Sequence, residues 1–153
     1  MTDRGRLVRA IAVTVVTAAI LMIIAAHFTW DVLQSKNPDL FYRVNALQLE
    51  SEVDGVVHDP VAITSVVLFN VVVFGVPGFV GAQLYPRLWW AAPAALAAVG
   101  VALWFHGFAT LFLQADRVEA RLASLIDLVS MVGSALGGAR IGWRRPQREA
   151  HAG

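Results

Sequence analysis

Cysteine is absent from the 153-residue chain, which excludes disulfides, thiolate nucleophiles, cysteine metal sites and iron–sulfur clusters. Charge is scarce as well: Asp, Glu, Lys and Arg together make up 15% of the residues, against roughly 25% in soluble domains. Lysine occurs once, as Lys36, and the remaining basic residues are arginines. No Gly-rich phosphate loop, nucleophile elbow or paired-carboxylate arrangement is present, so no recognisable catalytic set speaks for an enzyme. The few basic residues flank long apolar runs instead of forming a patch. Nucleic-acid binding therefore has no support.

What the chain does have is apolar sequence in blocks. Hydrophobic residues reach 58%, above the roughly 45–50% of soluble domains. Four runs, at residues 8–29, 61–84, 88–113 and 121–143, are each long enough to cross about 30 Å of hydrocarbon at about 1.5 Å per residue. The first, with its basic start and Ala25-Ala26, also fits a cleaved signal peptide. Signal cores run to about 7–15 residues, so a retained helix is expected. Residues 61–84 are rich in Val, Ile and Phe, which in a soluble protein would suggest a strand. In lipid an open strand cannot satisfy its backbone, so a helix is expected, kinked near Pro77-Gly78.

Residues 31–60 form the one substantial hydrophilic stretch. Asn37 as N-cap and Pro38 at the first helical position predict a helix start. Leu40, Val44 and Leu47 then recur at helical spacing, which predicts a short amphipathic helix on the membrane surface. So short a stretch cannot enclose a core of its own. Residues 114–120 read as a polar link and 144–153 as a frayed basic tail.

Orientation follows from the arginines. With the N-terminus inside, Arg4, Arg6, Arg9, Arg87, Arg140, Arg144, Arg145 and Arg148 are cytoplasmic, while Lys36, Arg43, Arg117 and Arg121 are outside. The expected fold class is an all-α integral membrane protein: a four-transmembrane-helix bundle in one membrane domain, with a short amphipathic outer-surface segment between helices 1 and 2. Both termini are expected in the cytoplasm. The Arg-, Ala-, Val- and Gly-heavy composition is associated with bacterial genomes, hence a bacterial plasma (inner) membrane.

The chemistry centres on Asp127, a carboxylate inside the fourth run. Such groups are costly in a membrane and mark pathways or partners. Ser130, Ser134, Gly138 and Gly142 share its side of the helix at four-residue spacing, a pattern that lets a second backbone approach closely. Asp127, His106 and Asn70 are candidates for a ligand or proton site. The plainer alternative is a hydrogen-bonded Asp near the interface, with Ser124, Asn70 or an outer Arg as partner, and Asn70 acting as interhelical glue. His27 and His106 could be axial ligands of a haem b. His27, His58 and His106, with Asp127 or Asp31, could bind a divalent metal. No ligand-spacing motif stands behind either reading, so the cofactor is left open.

Three functions follow. The first is an accessory or structural subunit of a larger membrane complex, with a membrane-protein partner. The second is a small oligomeric proton-coupled transporter using Asp127. The third is a haem b cytochrome subunit using His27 and His106.

Overall fold

The computed structural model describes residues 3–49, 59–114 and 118–151, and among them there are helices and turns but no strand. Helix α1 runs Asp3–Lys36, α2 Pro38–Leu49, α3 Pro60–Leu84, α4 Ala91–Gln114 and α5 Val118–His151. Among the described residues, three stretches are long and apolar enough to cross a membrane: α1, α3 and the Ser124–Trp143 part of α5. Ala91–Trp104 of α4 is a shorter apolar stretch.

The helix boundaries have local causes. α1 continues to Lys36, past the predicted end near residue 29, because no breaker intervenes before Asn37-Pro38. Proline disfavours the α conformation in the residue before it, and Asn37 adopts φ −150°, ψ 79°. Its side chain then caps α2, with Oδ1 accepting from Leu40 N–H at 3.1 Å. Asp59 caps α3 in the same way, accepting from Val61 N–H at 2.8 Å, and Pro60 fills the first helical position. At the far end of α3, Tyr85 before Pro86 again leaves the helix, and Pro86–Leu88 make a tight turn toward α4. α5 stays helical to His151 where the sequence predicts a frayed tail from residue 144. The helix runs through Pro146, and the Arg, Gln, Glu and Ala around it are strong helix formers.

Among the described residues, two helices carry a π-helical stretch. In α3 it covers Val71–Gly75, with Val76 N–H bonded to Val71 O, directly before the buried Pro77. Proline lacks an N–H and crowds the carbonyl four residues back, and a wider turn just ahead of it leaves that carbonyl more room. In α1 the stretch is Phe28–Leu33, closed by Gln34 N–H on Thr29 O.

α3 is the helix on which the others converge. Its second half packs most extensively against α5, and it also touches α1, α2 and α4. α1 and α5 each contact both α3 and α4. Small residues set the spacing. Ala10, Thr14 and Ala18 are the buried face of α1. A Cβ on Gly81 would strike the Thr14 hydroxyl and approach Ala92 Cβ to 3.0 Å, so α1, α3 and α4 meet there. On the α5 side, Gly78 lies on the Ala135 carbonyl, Gly138 on Gly75 and Gly142 on the Phe79 backbone. Ala18, Val73, Phe74, Leu96, Ala97, Met131 and Ala135 form the core between the four long helices.

The two ends of the assembly differ. One end gathers Arg87 and Asp3, paired at 2.9 Å, and Trp89 stacked on Trp143 at 5.5 Å between ring centres. The other holds α2, which packs on the start of α3 and on the π stretch of α1. There Phe41, 1% exposed, meets Trp30 edge-to-face at 5.0 Å. Arg43 grips Asp59 with two bonds of 3.1 Å, Nε to Oδ2 and Nη2 to Oδ1. The guanidinium and the Val61 N–H hold the Asp59 carboxyl below its ordinary range, and the carboxylate raises Arg43 in turn.

Candidate functional site: a carboxylate in a cavity among four helices

Asn70 is the polar side chain that α3 buries most completely within its apolar sequence, at 2% exposure. A buried amide must find partners, and α5 supplies them. Asn70 Nδ2 donates to Asp127 Oδ1 at 2.8 Å and to Ser130 Oγ at 2.6 Å, with the Asp127 carbonyl at 3.3 Å. The Ser130 hydroxyl donates back to the Asp127 carbonyl at 3.0 Å. Asp127 and Ser130 are three residues apart, so one helical turn presents both to Asn70.

These groups edge a cavity of about 460 Å³ that all four long helices line. Met22, Ala26 and Trp30 come from α1, Phe69 and Phe74 from α3, Leu103 and Trp104 from α4, and Asp127 and Met131 from α5. Gly100 of α4 leaves room for two of them: a Cβ there would stand 2.6 Å from Met131 Sδ and 2.9 Å from Phe74 Cε1. Both π-helical stretches border the cavity. Phe28, Thr29, Trp30 and Leu33 belong to the first, and Phe74 to the second, which begins directly after Asn70. Such local widening of a helix is frequent at functional sites.

The other sequence candidates fall elsewhere. His27 Nδ1 contacts the Asp31 carboxylate one turn on, both side chains are largely exposed, and His27 is not part of the cavity lining. His106 lies within α4, but its side chain is outside the described residues, and His58 is outside them altogether. Among the described residues no group of three His, Asp or Glu is placed to hold a metal ion. Ser130 joins the Asn70 cluster. Ser134, Gly138 and Gly142 lie along the seam with α3, the Ser134 carbonyl 3.4 Å from a Cβ built on Gly75.

Two features escaped the sequence reading. One is the contribution of α1 to the cavity, since nothing in the residues marks a π-helical stretch; Met22, Ala26 and Trp30 do recur at helical spacing. The other is a second pair of glycines, Gly133 and Gly137, with nothing within 4 Å of a Cβ on either. They line a groove of about 550 Å³ between α3 and α5, together with Val67, Val71 and Ile141.

Compared with known proteins, the chain matches no family model, and no curated protein or solved structure is significantly similar to it. The cavity and its chemistry therefore carry the functional argument alone.

Proposed function

We propose that this chain is a four-span protein of the bacterial plasma membrane, with both termini cytoplasmic, and that the Asn70–Asp127–Ser130 cavity is its working site, where a small amphipathic molecule binds for proton-coupled transport. The carrying observation is the convergence of four helices on one carboxylate that accepts from a buried amide beside an apolar cavity. A carboxylate in an apolar span is costly and marks a pathway or ligand site. Pockets of about 300–1,000 Å³, mostly apolar with a few convergent polar groups, are the usual form of small-molecule sites. The Arg87–Asp3 pair and the Trp89–Trp143 stack at one end agree with placing that end at the cytoplasmic interface.

The test is extraction in mild detergent at native expression, followed by sizing and mass spectrometry of everything that travels with the protein. A small molecule that copurifies with the native chain and is lost from Asp127→Asn, at equal yield, supports the site. No such molecule in either preparation counts against it. A second reading, an accessory subunit of a larger complex, is favoured by the uncovered Gly133–Gly137 face of α5. It predicts a stoichiometric protein partner in the same extraction.

A further inference from the structure

The geometry points to a lipophilic cation as the ligand of the Asp127 cavity, an inference that rests on the ligand-site reading above. Its first support is charge. Asp127 is the one ionisable side chain among the described residues that line the cavity. A carboxyl facing an apolar space is neutralised either by a proton or by a counter-charge that the occupant brings, because an uncompensated charge in such surroundings is strongly unfavourable. A cation can exchange for that proton, as proton coupling requires; a neutral amphiphile gives no such exchange, and an anion is repelled by the ionised form.

The second support is the character of the walls. Phe28, Trp30, Phe69, Phe74 and Trp104 line the same cavity as the carboxylate, together with the thioethers of Met22 and Met131. Aromatic faces attract cations, an attraction that grows as water is excluded. Methionine adapts its shape to irregular ligands. The volume of about 460 Å³ admits a bulky organic cation rather than a bare metal ion. The absence of a three-ligand His, Asp or Glu group among the described residues agrees with that choice. Asn70 fixes Asp127 Oδ1 through its amide, so the carboxylate is held in one orientation before a ligand arrives.

The experiment uses the full chain in detergent micelles with two probes of the same shape and opposite charge, tetraphenylphosphonium and tetraphenylborate, and with neutral triphenylmethanol. Binding is followed by equilibrium dialysis. Saturable binding of the cation alone is expected, weakened at least about tenfold in Asp127→Asn and largely restored in Asp127→Glu. Asn at position 127 keeps an acceptor for the Asn70 amide, and far-UV circular dichroism and thermal unfolding verify that the variant is folded. If the neutral probe binds as well as the cation and Asp127→Asn changes neither, the cation inference is overturned while the cavity remains a ligand site. If none of the three probes binds, both the inference and the ligand-site reading fall.

Discussion

Two adjacent glycines of α5 offer a sharp test of the packing. Gly138 faces the α3 backbone: a Cβ there would lie 2.8 Å from Gly75 C and 3.0 Å from Gly75 Cα. Carbon atoms in good contact stand about 3.5–4.0 Å apart, so Gly138→Ala must push the two helices apart by roughly 0.5–1 Å at this level. The obstacle is backbone and cannot rotate away. Overpacking of this kind costs about 1–3 kcal/mol. Gly137→Ala meets nothing within 4 Å and removes the conformational freedom of a helical glycine, a gain of about 0.5–1 kcal/mol. The variants should therefore differ by about 1.5–4 kcal/mol, although the two sites are consecutive in the chain and the chemical change is identical. Reversible unfolding by sodium dodecyl sulfate in mixed micelles, followed by far-UV circular dichroism, measures the gap. Equal stabilities, or Gly137→Ala as the weaker protein, would refute the assigned α3–α5 seam.

Further tests follow from the same geometry. Asn70→Ala removes the interhelical bonds to Asp127 and Ser130 and should cost about 1–2 kcal/mol in the same assay, with Ser130→Ala costing less. Gly100→Ala places a methyl against the movable ends of Met131 and Phe74; stability should change by under about 1 kcal/mol while tetraphenylphosphonium binding weakens. The Asp59 carboxyl is held below its ordinary value of 3.8, so the Arg43–Asp59 clamp contributes fully above that pH and is lost as pH falls through the lower folded value. In a variant whose sole tryptophan is Trp30, emission should stay constant at neutral pH and shift only below about pH 4. Arg43→Gln should abolish that acid step. Because the chain has no native cysteine, single-cysteine variants report orientation cleanly. An impermeant maleimide should label Lys36→Cys in intact cells and spare Arg6→Cys and Arg148→Cys.

The sequence made the helices legible because their signals are local. Asn37-Pro38 carries both a cap and the break before it, and long apolar runs leave the backbone no alternative to a helix in lipid. Asp127 and Asn70 stood out for the same reason, as polar groups in apolar stretches. Their pairing was one of several open choices, because it depends on how α3 and α5 are rotated against each other, which the Gly75–Gly138 approach determines. The cavity was hidden more thoroughly. Two π-helical stretches border it, and nothing in the residues marks where a helix widens. Asp59-Pro60 carries the same kind of signal, a cap followed by proline at the first helical position, at the start of α3.

The place of α3 between α1 and α5 has a consequence for biosynthesis. When α3 leaves the ribosome, its partner on one side already exists, and Gly81 can close on Thr14 at once. Gly75 and Gly78 on its other flank are different: their counterparts Gly138 and Ala135 arrive with the last helix. Until then a strip of bare backbone lies open along α3. A nascent chain stalled before residue 118 would thus present a grooved helix suited to any small-residue helix nearby. α5 covers that strip, and its translation is the step that ends the exposure.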